Sequence, residues 1–372
     1  MAKQSLLFVG SVNRTTDYSD TARGEGLTVY LFDEETGEAL RQSVFKGIDN
    51  PTFISIEPRR HLLFANSEVY GWNEGVVSAL RFDPQTGELR YLNKQPTLGS
   101  IAAHNGVDRS GNYLFVANYH HEPRWGGYFG EDVPGQAVAV FPIDERGWIG
   151  APCSSVAHVG RGTDPERQNE PHPHCTMTSP DNRFVLVADL GINHVVTYRF
   201  GAGKLTHSSA FDLPPGSGPR HLKFAPDGRS VYVINEVSST VAHLGYDAAT
   251  GRLSLRQVIS TLPDGFSAWN NCSELQISPD GRFLYAANRG HDSIALFRID
   301  PRDGSLAALG RVPCGGKIPR NIGLTPSAGH LLVANQDSDR IAVFGRDPQA
   351  GTLTLVGAIE VGTPMVVAMI PR

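Results

Sequence analysis

Short apolar runs alternate with turn residues along almost the whole chain. Residues 220–260 show the unit: RHLKFA (220–225), a Pro-Asp-Gly turn, SVYVIN (230–235), and two further alternating runs at 240–247 and 252–260. A period of two between Gly, Pro, Asn and Asp residues is typical of β-strands, and no stretch keeps a period of 3.6 long enough for a helix. The pattern therefore predicts an all-β fold.

Units of this kind repeat. PDGRFLYAANR at 279–289 is matched by PDNRFVLVADL at 180–190, PDGRSVYVINE at 226–236 and PSAGHLLVANQ at 326–336. With Pro58, Asp108, Pro180, Pro226, Pro279, Pro326 and Pro371 as matching points, the intervals are 50, 72, 46, 53, 47 and 45 residues. All but one are close to the roughly 40–50 residues of a four-stranded propeller blade. The long interval contains two insertions, at 120–136 and 160–172.

Five segments with Asp and Gly four residues apart link the predicted third strand of a unit to the fourth. They are Asp33–Gly37, Asp83–Gly87, Asp247–Gly251, Asp300–Gly304 and Asp347–Gly351. Each Gly supplies the positive φ that a tight hairpin needs, so these segments predict hairpin turns.

The two ends of the chain belong to one unit. TPMVVAMIPR (363–372) matches a first strand, whereas the N-terminus begins with a second strand, SLLFVGSV (5–12), followed by GLTVYLFD (26–33) and ALRQSVF (39–45). We expect the terminal segments to complete one blade, which closes the ring and removes exposed sheet edges. The prediction is a single seven-bladed β-propeller domain over residues 1–372, its terminal blade closed by N- and C-terminal strands.

Composition narrows the partners and the location. The net charge of −5 gives no broad basic surface, so we expect neither nucleic acid nor a membrane as a partner. Cys153, Cys175, Cys272 and Cys314 are far apart and form no CxxC pair, which suits unpaired thiols of a reducing compartment. The apolar stretch Leu6–Val9 is too short for a signal sequence or a membrane span. These features predict a soluble cytoplasmic protein and leave its oligomeric state open.

Equivalent positions of successive blades converge on the central channel, so residues that differ between blades carry the information about chemistry. An Asn or Asp ends nearly every second strand (Asn66, Asn118, Asp189, Asn235, Asn288 and Asn335), and we interpret these as groups that satisfy turn backbone. The next position varies: Ser11, Ser67, Tyr119, Leu190, Glu236, Arg289 and Gln336. Glu236 and Arg289 are the charged residues at this position.

A second ring lies six residues before each matching point. Its members are Thr52, Ala102, His174, Arg220, Ser273, Arg320 and Met365. Together with Glu236 and Arg289, the His and the two Arg of this ring form a predicted anion site. Arginines bind carboxylate or phosphate with a fixed fork, and His with Glu provides a base and an acid with tunable pKa values.

Other motifs carry less weight. His172 and His174 in HPH resemble half of a metal site, but no further ligands follow at a recognisable spacing, so we predict neither a metal nor another cofactor. The glycine pairs Gly126–Gly127 and Gly315–Gly316 lack the strand–loop–helix context of a phosphate loop, and the sequence has no GxSxG motif.

The segments GSGPRHLKFAPDGRSVYVINEVSSTVAHLGYD (216–247) and SPDGRFLYAANRGHDSIALF (278–297) resemble the seven-bladed propeller lactonase family. That family groups bacterial 6-phosphogluconolactonases with fungal carboxy-cis,cis-muconate lactonising cyclases. The resemblance covers essentially the whole chain. It implies a site made of His172 or His174, Arg220, Glu236 and Arg289, with Arg320 similar to a residue that lines the same channel.

The sequence thus predicts a metal-independent lactonase that hydrolyses a small anionic lactone, similar to 6-phosphogluconolactone, at the channel mouth. The predicted catalytic residues are His174, Arg220, Glu236 and Arg289, with either Glu236 or His174 as the base. The predicted substrate-binding residues are His172, His221, Asn235, Arg320 and Gln336.

Two alternatives stay open, and one inserted segment adds a hypothesis. The first alternative is a lactonising cyclase or isomerase that uses the same arginines; the second is a non-catalytic propeller whose rim binds a protein. The insertion 120–136 carries His120, His121, Arg124, Trp125 and Tyr128 among glycines and leaves the strand that ends at Asn118–Tyr119. We hypothesise that it forms a lid over the channel mouth.

Overall fold

The computed structural model describes residues 4–16, 18, 19, 22–120 and 135–372. In that part of the chain, 28 strands form seven antiparallel sheets of four strands each. The described helical segments are two single turns of 3₁₀ helix, Pro58–Arg60 and Gln336–Ser338. The all-β seven-bladed propeller predicted from the repeats is confirmed. None of the described helices is long and apolar enough to cross a membrane.

The strands are numbered in chain order and the blades from the N-terminus. Blade 1 contains β28 (Pro364–Pro371), β1 (Gln4–Ser11), β2 (Leu27–Asp33) and β3 (Ala39–Phe45). Blade 2 contains β4 (Ile54–Glu57), β5 (Leu62–Ser67), β6 (Val76–Phe82) and β7 (Leu89–Pro96). Blade 3 contains β8 (Ser100–Val107), β9 (Tyr113–His120), β10 (Val138–Pro142) and β11 (Ser154–Val156). Blades 4 and 5 contain β12 (Pro173–Thr178), β13 (Phe184–Asp189), β14 (His194–Gly201) and β15 (Lys204–Asp212); β16 (Pro219–Phe224), β17 (Ser230–Asn235), β18 (Thr240–Tyr246) and β19 (Leu253–Ser260). Blades 6 and 7 contain β20 (Asn271–Ile277), β21 (Phe283–Arg289), β22 (Ser293–Ile299) and β23 (Leu306–Pro313); β24 (Pro319–Leu324), β25 (His330–Asn335), β26 (Arg340–Arg346) and β27 (Leu353–Glu360).

The terminal strands close the ring as predicted. β28 pairs antiparallel with β1, with Leu6 opposite Ile370 and Phe8 opposite Ala368. β28 is also the innermost strand of blade 1 and contacts the innermost strands of blades 2 and 7, β4 and β24. The first and last residues of the described chain therefore share one sheet, and every innermost strand has a neighbour on both sides.

Seven apolar layers, each shared by two neighbouring blades, form the core. Between blades 4 and 5, for example, Phe184 and Leu186 pack with Leu222, Val233 and Leu244. Because both faces of a blade are covered, middle strands such as β17 and β21 are buried along their whole length. The outer strands alternate exposed and half-buried positions, which is why the period-two pattern is clearest there.

The five predicted Asp-to-Gly hairpins are present between the third and fourth strands. In each, the Gly amide donates to the Asp carbonyl over 2.7–2.9 Å. The glycines have φ between 69° and 80°, which residues with a side chain rarely adopt. The local turn chemistry thus sets the register of the outer hairpins.

Candidate active site at the channel mouth

A pocket of about 550 Å³ opens at one end of the channel. Six of the nine predicted site residues line it: His174, Arg220, Glu236, Arg289, Arg320 and Gln336. Further lining residues come from other blades and loops, among them Tyr18, Glu68, Tyr119, Arg167 and Trp269. Residues that are more than 140 positions apart in sequence therefore meet at one site because the ring brings equivalent blade positions together.

β-Bulges on the innermost strands aim several of these side chains. In β12, β16 and β24 the pairing register skips His174, Arg220 and Arg320, respectively. A bulge leaves one residue out of the ladder and redirects its side chain, and such bulges are common beside active sites. In blade 3 the skipped residue is Ala103, so Ala102, which the repeat alignment predicted, is off by one position.

Glu236 lies at the centre of three arginines. One of its carboxylate oxygens is 2.8 Å from Arg220 Nε and 2.9 Å from Arg289 Nη2, and the other accepts from Arg167 Nη2. Burial opposes ionisation, but the positive charges of Arg289, Arg167 and Arg220 hold the pKa of Glu236 well below its usual value. We call these four residues the Glu236 cluster; its carboxylate is ionised and fully engaged.

Arg167 was missed by sequence reasoning, which identified only its segment as an insertion. The loop is held by Gln168, whose Nε2 donates to the Leu190 carbonyl over 2.8 Å, and by Asp164 Oδ1, which accepts from the Arg167 amide over 3.0 Å. Arg167 belongs to no repeat position, so blade comparison had no means of finding it. The insertion as such was the only available signal.

Arg220 is fixed from behind by a buried chain of hydrogen bonds. Its Nη1 donates to the Ser273 carbonyl over 2.6 Å and lies 3.2 Å from His221 Nε2, while His221 Nδ1 lies 3.0 Å from Glu274 Oε2. Burial and the Arg220 charge keep the pKa of His221 well below its usual value, so the ring is neutral. Since Nε2 faces a donor, it accepts, and Nδ1–H donates to Glu274. His221 itself does not line the pocket.

His174 is the lining residue with an unoccupied ring nitrogen. It is almost fully buried, and among the described residues its Nδ1 has no hydrogen-bond partner. Burial, with the charge of Arg220, holds the pKa of His174 well below the usual value, so the imidazole is neutral. Its ring meets those of His221 and Tyr119 edge-on, with centroids 5.2 and 5.4 Å apart.

Arg320 stands apart from the Glu236 cluster. Its guanidinium lies 4.5 Å from the centre of the Tyr18 ring and 4.0 Å from Glu68 Oε1, which is beyond hydrogen-bond distance. Among the described residues it has no hydrogen-bond acceptor. Gln336 beside it is buried, its Oε1 has no partner there, and its Nε2 donates to Asp337 over 2.9 Å. We call Tyr18, Glu68, Arg320 and Gln336 the Arg320 cluster.

Two further predicted substrate-binding residues, in addition to His221, lie outside the pocket lining. Asn235 is fully buried and its Nδ2 donates to Thr240 Oγ1 over 2.9 Å, so its placement speaks against a contact with substrate. His172 stacks on Tyr119, with ring centroids 4.4 Å apart, and its Nδ1 donates to the Tyr119 carbonyl over 2.9 Å. Of the two histidines in HPH, only His174 reaches the pocket.

His172 also lies close to two potential metal ligands that its sequence context did not indicate. Ligand atoms of His120, Glu170 and His172 lie within 4.8 Å of one another, and His120 Nδ1 is 2.8 Å from Glu170 Oε1. The absence of a metal therefore stays a prediction. The lid hypothesis for 120–136 also stays one, because residues 121–134 lie outside the described part of the chain.

Comparison with known proteins supplies the remaining evidence. The sequence matches the family described as "Lactonase, 7-bladed beta-propeller" over residues 7–369. It is 35% identical to the 6-phosphogluconolactonase of Bacillus subtilis over 80% of both chains, and 31% identical to that of Formosa agariphila over 86% of both. Among solved structures it is similar to the periplasmic gluconolactonase PpgL of Pseudomonas aeruginosa, with a TM-score of 0.88, 32% identity and 99% of both chains covered.

Proposed function

The chain belongs to the seven-bladed β-propeller lactonase family, and from that premise we propose that it hydrolyses a small anionic lactone of the 6-phosphogluconolactone type at the channel mouth. Two relatives that are 35% and 31% identical to the chain are named 6-phosphogluconolactonase, which supports a lactone-hydrolysing enzyme. The observation that carries the chemistry is the neutral, buried His174 beside arginines that are already oriented. The specific lactone and the roles below are the proposal.

In this mechanism the His174 imidazole accepts a proton from the attacking water. The water oxygen bonds to the lactone carbonyl carbon, and Arg220 and Arg289 stabilise the oxyanion that forms. The ring C–O bond then breaks, the imidazolium returns its proton to the leaving alkoxide oxygen, and the product is the hydroxy acid. Every proton and oxygen comes from the water and the lactone, so the step requires no other reactant.

Glu236 is the weaker candidate for the base, although the sequence left the choice open. Its two oxygens already accept from three guanidinium groups, whereas His174 Nδ1 has no hydrogen-bond partner among the described residues. We assign it instead to holding Arg220 and Arg289 at the positions where the oxyanion forms. Preorganised charge of this kind needs no reorganisation during the reaction.

Arg320 is proposed to bind the anionic group of the substrate. It is the pocket arginine that has no acceptor among the described residues, so its five N–H donors are available to a carboxylate or phosphate. Gln336 lines the same pocket, and its buried amide oxygen has no hydrogen-bond partner among the described residues. The substrate would then span the pocket, with its charged end at the Arg320 cluster and its ester at the Glu236 cluster.

One assay separates this proposal from its alternatives. 6-Phosphogluconolactone, unphosphorylated glucono-lactone and cis,cis-muconate are incubated with the purified protein before and after treatment with a chelator. We expect the lactones to open at rates that the chelator leaves unchanged, and His174→Ala to lower kcat about 10²-fold. Lactone formation from muconate would favour the cyclase, and no turnover of any substrate would favour the scaffold. A non-catalytic scaffold already fits poorly, because Arg220, Glu236 and Arg289 converge rather than scatter.

We also propose a cytoplasmic location. All four cysteines are unpaired, and Cys175, Cys272 and Cys314 are buried, which suits a reducing compartment. The relative from Pseudomonas is called periplasmic, so fractionation of the native host is the direct test. Recovery in the periplasmic fraction would overturn this assignment and leave the chemistry untouched.

A further inference from the structure

Trp269 is an exposed aromatic side chain at the rim of a pocket that is otherwise rich in charge. It lies in the loop between β19 and β20, lines the pocket, and is 61% exposed. A scattered exposed apolar residue is ordinary on a protein surface. An indole at the rim of a polar pocket indicates a ligand contact only if the protein holds the side chain in place.

The structure does hold it. A Cβ added to Gly290 would lie 2.6 Å from Trp269 Cε3 and 2.9 Å from Cζ3, so the missing side chain makes room for the ring. Gly290 has φ +111°, which also favours glycine. It directly follows Arg289, so the residue that seats the indole is next in sequence to a residue of the Glu236 cluster.

The loop that carries Trp269 is anchored on both sides. Asn270 Nδ2 donates to Ser239 Oγ over 2.8 Å, and Asn270 Oδ1 accepts from the His291 amide over 3.1 Å. Arg311 Nε donates to the Thr261 carbonyl at the start of the loop over 2.6 Å. The Cε3–Cζ3 side of the indole thus lies against Gly290, while the residue as a whole is well exposed at the pocket rim.

The other apolar groups of the pocket support the same reading. Ile101 and Ile318 both line it, and both have left-handed backbones, with φ of +54° and +56°. This conformation is costly for a β-branched residue and persists where the surroundings impose it, often at functional sites. The pocket therefore combines charged groups with a small apolar surface, to which Trp269 contributes the largest side chain.

We propose that Trp269 is a stacking platform for the C–H face of a saturated lactone ring. The polar substituents and the ester of that ring would point to the arginines, while one face lies on the indole. A cationic ligand is disfavoured because four arginines line the same pocket. This inference rests on the proposed lactonase function, which it deepens by naming the ring as the recognised feature.

Kinetics of Trp269→Ala, Trp269→Phe and Trp148→Ala test the platform. Trp148 is the matched control: it is 43% exposed and contacts Arg146 away from the pocket. We expect Trp269→Ala to raise KM for glucono-lactone about tenfold with kcat within about twofold, Trp269→Phe to lie between, and Trp148→Ala to match the parent. An unchanged KM in Trp269→Ala would overturn the proposal.

Fluorescence separates failure of the platform from failure of the lactonase. The probe is D-glucono-1,5-lactam, a saturated ring of the same shape that lacks the ester. We expect it to quench the tryptophan emission of the parent and of Trp148→Phe but not that of Trp269→Phe. Quenching of the parent protein without any lactone opening would contradict the proposed lactonase function and support Trp269 as a stacking platform. Lactone opening with quenching retained in Trp269→Phe would do the reverse.

Discussion

The two halves of the pocket hold their arginines in opposite ways. In the Glu236 cluster, three guanidinium groups share one buried carboxylate, so each arginine is already paired before any ligand arrives and the cluster keeps an excess of positive charge. In the Arg320 cluster, the guanidinium lies on a tyrosine ring with the nearest carboxylate oxygen 4.0 Å away. The first arrangement suits arginines that must keep their positions during a reaction. The second suits an arginine whose N–H donors are free to bind the anionic group of a ligand.

This difference also predicts where stability and affinity reside. Removing one partner of a compensated buried charge leaves the others without a counter-charge, which is strongly destabilising. Removing Arg320 breaks no hydrogen bond among the described residues and loses only the contacts with Glu68 at 4.0 Å and with the Tyr18 ring, so we expect a smaller loss of stability and a larger effect on the ligand. The variants below test that division, beginning with the largest expected effect.

Glu236→Gln should damage folding as well as catalysis. It leaves Arg220 and Arg289 buried without their counter-charge, and we expect a loss of about 3–5 kcal/mol in the free energy of unfolding. Glu360→Gln, whose partner Arg340 is 3.7 Å away on the surface, should cost under about 1 kcal/mol. Urea unfolding of both variants checks the difference. Equal losses would mean that Glu236 does not hold the arginines in solution.

Arg320→Ala should affect substrate binding and leave folding largely intact. We expect KM for an anionic lactone to rise about 10- to 100-fold with little change in kcat, because a charge-assisted contact is worth about 1.5–3 kcal/mol. Arg346 is the matched buried control, since it donates to Tyr285 Oη over 2.9 Å and to the Ala328 carbonyl over 3.0 Å away from the pocket. Arg346→Ala should lose stability and keep its KM. An unchanged KM in Arg320→Ala would remove Arg320 from the binding site.

Much of this layout was predictable from sequence, and the exceptions have physical causes. The hairpin glycines and strand periodicity repeat because every blade must satisfy the same backbone geometry, so the fold and the channel-facing outliers could be read from the repeats. Arg167 lies in an insertion and obeys no repeat rule. Asn235 occupies a recurrent turn position before Glu236, and its buried amide hydrogen-bonds within the blade, a contact that spacing alone does not show.

Hydrogen-bonded chains behind the pocket were equally invisible. His221 follows Arg220, so sequence alone placed both toward the substrate. The bulge at Arg220 redirects its guanidinium into the pocket, and His221 ends behind it, between Arg220 and Glu274. Glu274 belongs to the position five residues before each matching point, which the comparison of blades did not include. Buried orienting groups of this type are defined by three-dimensional contacts rather than by spacing.

Glu274→Gln probes that hidden support of the Glu236 cluster. Glu274 Oε2 accepts from His221 Nδ1–H and from Asn321 Nδ2 over 2.9 Å. Glu274 Oε1 also accepts from the Leu275 amide over 2.9 Å, so a Gln has only one acceptor oxygen for donors on both sides. With its amide nitrogen toward His221, the His221 proton moves to Nε2, where it faces the Arg220 guanidinium, donor against donor. We expect kcat to fall about tenfold with KM within about twofold.

The control for this variant is another buried carboxylate. Glu57 binds Arg59 and Arg60 outside the pocket, with Arg59 Nε 2.8 Å from Glu57 Oε1. Glu57→Gln should lower stability without changing kcat. If both variants lose stability and neither loses kcat, Glu274 is purely structural and does not position Arg220.

The smallest effect is expected from a change of pH between 6.5 and 8, because the groups around the Glu236 cluster set the pKa of His174. Burial and the Arg220 charge lower the pKa of His174, Arg320 adds to this, and Glu236 opposes it. A base with a lowered pKa is neutral at pH 6.5 and above and becomes protonated only below that range. We therefore expect kcat/KM to vary less than about twofold between pH 6.5 and 8 and to decline only at lower pH. Arg220→Ala removes a positive charge beside the imidazole, so the acid limb of its remaining activity should move up toward pH 6.5. A parent profile that already declines near pH 6.5, or a limb that does not move in Arg220→Ala, would mean that a group other than His174 accepts the proton.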